Sequence, residues 1–428
     1  MPPKRVLVVG SGGREHALVR SLLRSPQLPD VLAAPGNAGI AKDRVPCLPL
    51  RGEDVKSIVR AAREERCDLV VVGPEAPLVG GLVDALAEER ITAFGPSAAA
   101  ARIEGSKAYA KELMRAVGVP TGGYEVVHGR DQAVCALAAT AYPVVLKADV
   151  LAAGKGVLIC RDEREAMAAI DSLFVKRRFG DTAVVIEQFL EGEELSLLAL
   201  CDGERALPMA PARDYKRAFD GDAGPNTGGM GSYSPVRGID ADHAEVLARL
   251  VHQPILDELR RRGTPYHGVL YAGLMMTAEG PRVLEYNCRF GDPETQAVLP
   301  RLRSDLLDLL ERSARPGGLA GATLEWSSDW AVTVVLASRG YPDSDSRGDP
   351  ITGLGAIDSL DTEILHAGTA ERDGRIVTAG GRVVNVTGFA PTPEQARERA
   401  YAGVERIRFS GRQLRRDIAA HAVDRVEA

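Results

Sequence analysis

The sequence predicts a multidomain protein of the α/β class (α+β multi-domain), with an N-terminal parallel α/β sheet domain, a central α+β domain and a small C-terminal α/β domain. Its 428 residues exceed what one hydrophobic core usually supports, about 300 residues. Strand and helix patterns alternate over residues 4–94, whereas strand patterns follow one another closely over residues 107–310. Alternation favours a parallel sheet, and short connections between strands favour an antiparallel sheet.

Composition and charge exclude several other classes. Apolar residues make up 45% and charged residues 26% of the chain, as in folded globular proteins, and no apolar run is long enough to cross a membrane. The formal charge of -6 lacks the basic excess of a nucleic-acid-binding protein. The six cysteines form no C-x-x-C pair, so we expect buried thiols rather than disulfides or zinc ligands. The start, MPPKRVLVVGSGG, does not resemble a signal peptide, and we expect a cytoplasmic protein.

The first domain is assigned to residues 1–103. The run KRVLVVG (4–10) is typical of a strand buried on both faces, and a helix follows its glycines. Further elements are predicted as strands at 31–35 and 67–73 and as helices at 53–65 and 77–89. We expect His16 on the surface of the first helix.

The central domain is assigned to residues 104–318. It begins with a helix, SKAYAKELMRAVG, for which Ser106 and Gly118 are the predicted caps. Closely spaced strands follow, and a mobile lid is predicted over about residues 125–195. The glycine-rich segment 211–235 is predicted to be a long loop without secondary structure, which is usually functional or mobile.

The last domain is assigned to residues 326–428, after a predicted linker at 315–321. It has strand patterns from residue 331 and a helix that begins at Pro393. We find no constellation of chemically active residues in it.

The first motif is Gly10-Ser-Gly-Gly-Arg-Glu-His16, a glycine turn that opens a helix. Glu15 stands where the dinucleotide fingerprint requires its third glycine, and no acid ends the second predicted strand. The remaining free N–H groups and Arg14 suit a single phosphate, although any turn between a strand and a helix favours glycine.

Lysines and small residues mark a second site. Lys147 ends a predicted strand, and the loop that follows it contains Lys155. Backbone N–H groups of such a loop, together with two ammonium groups, can bind a polyphosphate, and a simple glycine hairpin is the alternative. Farther on, the strand that ends at Glu187 leads to a hinge suited to adenine, and Glu194 could accept from ribose hydroxyls, unless these glutamates are only solvated.

The fourth motif is LEYNCRFGDPE, residues 284–294. Glu285 and Asn287 are two residues apart in a predicted strand, so their side chains share a face. Two oxygen ligands so placed suit Mg²⁺ when ATP phosphates and waters complete its shell. Arg289 falls on the same face, where it could bind a phosphate or a carboxylate.

Together these motifs resemble the ATP-grasp ligases, and the resemblance extends to the phosphoribosylamine–glycine ligase family over residues 5–420. The segments that carry it are GSGGREHA, APGNAG, GPEAPLV, EGSKAYAK, KADVLAAGKGV, GPNTGGMGSYSP and EYNCRFGDPETQ. The resemblance implies a central ATP-grasp domain and an enzyme that joins glycine to 5-phosphoribosylamine with ATP, by way of glycyl phosphate, in purine biosynthesis. It implies ATP and Mg²⁺ (or Mn²⁺) as cofactors and small-molecule substrates. We expect a monomer without nucleic-acid or membrane partners.

The resemblance also implies roles for individual residues. For ATP these are Lys107, Lys147, Gly154, Lys155, Gly156, Glu187, Leu190 and Glu194, and for the metal Glu285 and Asn287. For the other two substrates they are Gly12, Gly13, Arg14, Asp214, Lys216, Gly228, Gly229, Met230, Arg289, Asp292 and Glu294. Catalytic roles fall to Lys147, Lys155, Asp214 and Arg289.

The chain departs from the family pattern at a few positions. Val150 replaces a usual glycine, Arg213 and Tyr215 replace a usual Gln and His, and Gly273 lies near the place of a third acidic ligand. Two alternatives stay open at this point: an ATP-grasp ligase for another carboxylate or amine, and a nucleotide-binding regulator without catalysis.

Overall fold

The computed structural model describes residues 3–152, 156–356 and 361–424 of the chain. Within these ranges no helix has both the length and the apolar character needed to cross a membrane. The mixed α/β class is confirmed: a parallel sheet near the N-terminus is followed by two antiparallel sheets, and a further sheet gathers the C-terminal strands.

The N-terminal sheet has the strand order β2-β1-β3-β4, and all its pairs are parallel. Its strands are β1 (Arg5–Gly10), β2 (Asp30–Pro35), β3 (Leu69–Val72) and β4 (Thr92–Phe94). Its helices are α1 (Gly13–Leu23), α2 (Ala38–Lys42), α3 (Val55–Glu64), α4 (Glu75–Val79), α5 (Leu82–Glu88) and α6 (Ala98–Gly105). The apolar run of β1 is buried because helices cover both faces of a parallel sheet. The predicted helix at 77–89 is divided in two by Gly80 and Gly81.

The segment that contains the predicted lid forms a small antiparallel sheet of order β5-β8-β6-β7. Its elements are α7 (Lys107–Val117), β5 (Tyr124–Val127), α8 (Arg130–Ala138), β6 (Val144–Ala148), β7 (Val157–Cys160), α9 (Glu163–Ile170), a π-helical turn (Asp171–Val175) and β8 (Val184–Gln188). The predicted caps of α7 are confirmed: the Ser106 hydroxyl accepts from the Tyr109 N–H, and Gly118 has φ +73°. This sheet has a hydrophobic core of its own, around Leu146 and Ile170. We call residues 124–188 the lid.

The second antiparallel sheet has the order β10-β9-β15-β16. The strands of this region are β9 (Glu193–Asp202), β10 (Ala206–Pro208), β11 (Arg213–Asp214), β12 (Arg217–Phe219), β13 (Ala223–Asn226), β14 (Gly231–Ser234), β15 (His267–Thr277) and β16 (Gly280–Asn287). Its helices are α10 (Ala241–Val251), α11 (Gln253–Arg261), α12 (Glu294–Val298) and α13 (Leu306–Ser313). The predicted linker at 315–321 forms turns, and the Asp202 carboxylate binds one of them through the Leu319 N–H, 2.7 Å away.

The C-terminal sheet has the order β11-β14-β17-β21-β18 and therefore includes two strands from the predicted loop at 211–235. The remaining elements are β17 (Trp330–Ala337), β18 (Thr362–His366), β19 (Thr369–Arg372), β20 (Arg375–Thr378), β21 (Arg382–Ala390), α14 (Pro393–Val404) and α15 (Ala420–Asp424). The expectation that 211–235 lacks secondary structure is wrong, because the buried strand β14 pairs with β17, almost a hundred residues later. A partner so distant leaves no local signal in the sequence.

Two further expectations are corrected. His16 is fully buried, and its ring lies between the Asp43 carboxylate (2.9 Å) and the His366 N–H (2.8 Å). This packing joins α1 to the C-terminal sheet, so a helix face that the sequence suggests is solvated is an interface. All six cysteines are free thiols as expected, but only four of them are buried: Cys47 is half-buried and Cys135 is exposed.

Candidate active site

The glycine turn between β1 and α1 is closed by Glu15. Its carboxylate accepts from the Gly12 N–H at 2.6 Å, and a Cβ placed on Gly73 would come within 2.0 Å of its Oε1 atom. The third glycine of a dinucleotide site would leave this space open, and here a buried side chain fills it. The turn leads directly into the N-terminus of the eleven-residue helix α1, whose N-cap is Gly12.

Arg14 connects this turn to the segment that follows β16. Only 7% of Arg14 is exposed, its Nε donates to Glu15 Oε1 at 2.5 Å, and its Nη1 donates to the Phe290 carbonyl at 3.1 Å. A Cβ placed on Gly12 would lie 3.1 Å from Asp292 Oδ2. The first and fourth sequence motifs therefore face each other where the N-terminal and central domains meet.

Strand β16 presents Glu285 and Asn287 on one face, as predicted. Both are half-buried, and they alternate with the buried Tyr286 and Cys288. The residue opposite Glu285 is Gly273, which has no side chain to add a third acidic ligand. Across the described ranges no group of three or more His, Cys, Asp or Glu residues could bind a metal ion. A metal bound here would therefore need ligands from ATP and water.

Positive charges surround the Glu285 carboxylate. Burial alone would raise its pKa, but the charges of Lys216, Lys147 and Lys107 hold that pKa below its usual value. The Lys216 ammonium lies 3.8 Å from Glu285 and 3.0 Å from Glu194. Burial disfavours the charged form of Lys216, yet the neighbouring carboxylates raise the pKa of this lysine well above normal. An anionic oxygen that faces several cations suits a metal–polyphosphate complex, so the donor set fits Mg²⁺ or Mn²⁺.

Two of the predicted phosphate-binding lysines, Lys107 and Lys147, lie near each other and near Glu285. Lys147 donates to Glu187 Oε2 and to the Leu284 carbonyl, both at 3.0 Å, and Lys107 donates to the Val150 carbonyl at 2.9 Å. Gly154 and Lys155 lie outside the described residues. Gly156 follows them, and its carbonyl accepts from the Ala148 N–H, which fixes the far end of the loop.

The hinge after β8 follows Glu187, the residue that binds Lys147. Leu190 packs near Gly122, and the Gln188 N–H donates to the Gly123 carbonyl at 2.8 Å. Glu187 itself is buried, and its carboxylate also pairs with Lys111 at 2.8 Å. Lys111 was not predicted as a site residue, because a lysine in the middle of an amphipathic helix is usually solvated.

The half-buried Asp214 and the buried Glu294 form a carboxyl cluster with two buried hydroxyl groups. Glu294 Oε1 accepts from the Ser196 hydroxyl at 3.2 Å and from the Tyr271 hydroxyl at 3.1 Å, and the Ser196 hydroxyl also lies 3.5 Å from Asp214. Burial raises the pKa of Asp214 to about 8, against the opposing effect of Lys216 and with support from Glu294. Because its pKa is about 8, the Asp214 carboxyl group can take up a proton near neutral pH.

Arg289 is bound by two acids, one on α4 and one on α6. Its Nε lies 3.1 Å from Glu75 and its Nη2 lies 3.1 Å from Glu104, which also accepts from the Cys288 N–H at 2.6 Å. Burial alone would raise the pKa of Glu75, but Arg289 and Arg14 lower it to about 2. Neither acid was predicted as a site residue, although Glu75 lies in the quoted segment GPEAPLV and Glu104 is the first residue of EGSKAYAK.

The glycines at 228 and 229 form a tight turn against the same segment. Gly229 has φ +107°, and a Cβ there would lie 2.3 Å from the Pro293 ring, so only glycine fits. Arg382, from the C-terminal domain, donates to the Gly228 carbonyl and to the Asp292 carbonyl and lies 3.2 Å from the Asp292 carboxylate. Met230 is almost completely buried. The C-terminal domain, in which the sequence suggested no active residue, therefore contributes an arginine to the site.

The chain is similar to proteins of a known family. Three models of the phosphoribosylglycinamide synthetase family match the chain: the N domain over residues 4–104, the ATP-grasp (A) domain over 105–295 and the C domain over 331–421. The chain is 46% identical to the phosphoribosylamine–glycine ligase of Agrobacterium fabrum, over 99% of this chain and 100% of that protein. It is 48% identical to the enzyme of that name from Streptomyces coelicolor, over 98% and 99% of the two chains.

Solved structures are similar as well. The crystal structure of phosphoribosylamine–glycine ligase from Thermotoga maritima superposes with a TM-score of 0.84 at 37% identity, over 97% of this chain and 100% of that one. A biotin carboxylase domain from Hydrogenobacter thermophilus, solved with MgADP and bicarbonate, gives a TM-score of 0.73 at 17% identity, over 96% and 91% of the chains. The second likeness concerns the fold alone.

Proposed function

Because the chain belongs to the phosphoribosylglycinamide synthetase family, we propose that the cleft between its three domains is where this enzyme joins glycine to 5-phosphoribosylamine. The enzyme is an ATP-dependent ligase that forms a C–N bond in purine biosynthesis. The observation that supports this location is the group of cations around the Glu285 carboxylate. Three lysines and a metal-binding carboxylate in one cleft are what a polyphosphate needs.

In this proposal ATP lies between the lid and β16. Lys107 and Lys147 neutralise its phosphates, the hinge from Glu187 to Leu190 holds the adenine, and Glu194 accepts from the ribose. Lys147 exchanges its bond with Glu187 for a phosphate oxygen. The lid then excludes water, which would otherwise hydrolyse an activated acyl group.

Glu285 and Asn287 would hold the metal ion. When bound, Mg²⁺ or Mn²⁺ supplies charge neutralisation for the phosphate oxygens. Lys216 lies close enough to Glu285 to keep this carboxylate ionised and aligned before ATP arrives.

A carboxylate does not react with an amine directly, because an oxide is a poor leaving group. In the proposed sequence an oxygen of the glycine carboxylate attacks the γ-phosphorus, and ADP leaves. The amine of phosphoribosylamine then attacks the carbonyl carbon of glycyl phosphate, and inorganic phosphate leaves. Lys147 and Lys216 stabilise charge in the first step, and Asp214 accepts the amine proton in the second.

The junction of the glycine turn, Asp292 and the Gly228–Gly229 turn is proposed as the site of the ribose phosphate. The helix N-terminus at Gly12 and Gly13 favours an anion. Arg14 orients the 290–292 segment through the Phe290 carbonyl. Arg289 is held at the same junction by Glu75 and Glu104, between this site and the metal-binding strand.

The test is ADP formation in a coupled assay from which glycine and phosphoribosylamine are omitted in turn. We expect sustained ADP release only when both are present. Equal release with other amines would favour a ligase for a different acceptor, and no release with any substrate would favour a nucleotide-binding regulator.

A further inference from the structure

One buried arginine of the C-terminal domain contacts the segment that carries Asp214 and Lys216. Only 1% of Arg415 is exposed, and a buried guanidinium needs partners that compensate its charge. Its Nε donates to Asp417 Oδ1 and its Nη1 donates to Asp222 Oδ1, both at 2.7 Å. Asp222 lies in the turn between β12 and β13, whereas Asp417 lies beside Arg415 near the end of the chain. Because its two partners belong to different domains, Arg415 ties the hairpin of β12 and β13 to the C-terminal domain.

Arg415 also contacts the residues on both sides of Lys216. Its Nη1 donates to the Arg217 carbonyl at 3.2 Å, and its guanidinium lies over the Tyr215 ring, 4.8 Å from the ring centroid. A cation within about 6 Å of an aromatic ring centroid is attracted by the face of the ring. The main chain at Lys216 is therefore held on both sides by one buried guanidinium.

Tyr215 has a second bond to the same part of the C-terminal domain. Its hydroxyl accepts from the Ala419 N–H at 2.9 Å, and only 5% of Tyr215 is exposed. Ala419 has φ +61°, in the left-handed region that residues other than glycine rarely adopt. A residue keeps such a conformation only where its surroundings impose it. Residues 415–419 therefore support Tyr215, which stands where the family pattern has a histidine, through both the guanidinium and the Ala419 N–H.

Lys216 needs this support because its side chain is flexible. A lysine ammonium is carried on a four-carbon chain, so a fixed main chain is needed to aim it. The ammonium lies 3.0 Å from Glu194 Oε2 and 3.8 Å from Glu285 Oε1. The Lys216 carbonyl accepts from the Thr227 N–H at 2.7 Å and from the Thr227 hydroxyl at 2.9 Å. Thr227 thus fixes this carbonyl, and Arg415 fixes the residues on either side of the lysine.

We propose that Arg415 is a positioning residue of this ligase, which keeps the Lys216 ammonium in the cleft beside Glu285. It acts through the Tyr215 ring and the Arg217 carbonyl rather than on a substrate. The inference rests on the proposed role of Lys216, which stabilises charge when the glycine carboxylate attacks ATP. Loss of the support lowers kcat and kcat/KM together, because the ammonium is needed most in the transition state.

The test is the rate of ADP formation by Arg415→Lys at saturating ATP, glycine and phosphoribosylamine. Lysine keeps a cation for the two carboxylates but lacks the planar group that covers Tyr215 and reaches the Arg217 carbonyl. We expect kcat to fall by about 10- to 100-fold, since a misplacement of about 1 Å can cost about 100-fold, with the KM for ATP nearly unchanged. The matched control is Arg416→Lys, at the neighbouring arginine, whose side chain is 65% exposed and binds Glu405. This control keeps the wild-type kcat.

The pH profile separates positioning from a loss of stability. Burial raises the pKa of Asp214 to about 8, against the opposing charge of Lys216. Carboxylates that face Asp214 raise its pKa further, and they are Glu294, Glu194 and Glu285. If Arg415→Lys displaces the Lys216 ammonium, the increase of kcat/KM for phosphoribosylamine with pH moves to higher pH. A loss of stability alone lowers the amount of folded enzyme and leaves the midpoint of this increase unchanged.

A folded Arg415→Lys with the wild-type kcat would overturn the inference, and so would a lower kcat with an unchanged pH midpoint. If Arg415→Lys does not fold, Tyr215→Phe decides in the same way, because it keeps the ring under Arg415 and removes only the bond to Ala419. If Lys216→Met keeps the wild-type kcat, the proposed role of Lys216 fails together with this inference. That result differs from one in which only Arg415→Lys is without effect.

Discussion

Replacing Arg14 by methionine tests how the N-terminal domain supports the site. The change removes the hydrogen bond to the Phe290 carbonyl and leaves the Glu15 carboxylate, which is 1% exposed, without its cation. Breaking a buried ion pair by removing one partner typically costs about 3–5 kcal/mol. We therefore expect Arg14→Met to lower the free energy of unfolding by that amount in urea titrations, with the slope of the titration unchanged.

A double variant separates the two contributions. Arg14→Met with Glu15→Gln has no unpaired charge, so only the lost charge-assisted hydrogen bond remains, about 1.5–3 kcal/mol. If Arg14 orients the 290–292 segment for phosphoribosylamine, the same energy appears as a roughly 10- to 150-fold rise in the KM for that substrate, with the KM for ATP nearly unchanged. A double variant no more stable than Arg14→Met would show that the unpaired Glu15 charge is not the cause of the loss. Equal changes in the KM of all substrates would show that Arg14 does not act on phosphoribosylamine in particular.

Three further predictions follow from the site. Glu285→Ala and Asn287→Ala each abolish ADP formation at saturating Mg²⁺, while the urea midpoint stays near that of wild type. A near-normal kcat in either variant would show that the substituted residue does not bind the metal. Backbone amides of the lid (124–188) become protected from hydrogen exchange when an ATP analogue and Mg²⁺ bind, and unchanged exchange would argue against closure of the lid. Val150→Gly changes kcat more than it changes nucleotide affinity. Burial raises the pKa of Asp214 from 3.8 to about 8, so kcat/KM for phosphoribosylamine increases with pH through about 8 and Asp214→Asn removes this increase. Because the folded-state pKa lies above the unfolded one, wild type also loses stability relative to Asp214→Asn as the pH rises from about 4 to about 8 in urea titrations.

Much of the fold could be predicted because local patterns determine it. The apolar run of β1 and the glycines after it predicted a buried parallel strand that leads into a helix, and the caps of α7 were readable at Ser106 and Gly118. The pairing of β14 with β17 could not be predicted, since neither strand carries a signal of its distant partner. Burial of His16 was missed for the same reason, because the group that covers it belongs to the C-terminal sheet.

The candidate site could also be predicted only where its residues lie close together in the sequence. Residues that lie on one short segment, such as Glu285 and Asn287, could be predicted to share a face from the two-residue period of a strand. Residues whose role depends on a partner from another domain could not. Arg382 was missed because only the folded chain brings it to Asp292, and Lys111 because only the folded chain buries it against Glu187.

In the proposed mechanism, the carboxylate of glycine is activated by phosphorylation before the amine attacks. The most direct measurement uses glycine whose carboxylate carries a heavy oxygen isotope, with ATP, Mg²⁺ and phosphoribosylamine present and mass spectrometry of the products. If glycyl phosphate forms, one labelled oxygen per turnover appears in inorganic phosphate, and the other stays in glycinamide ribonucleotide. If the inorganic phosphate carries no heavy oxygen at full turnover, glycyl phosphate is not an intermediate.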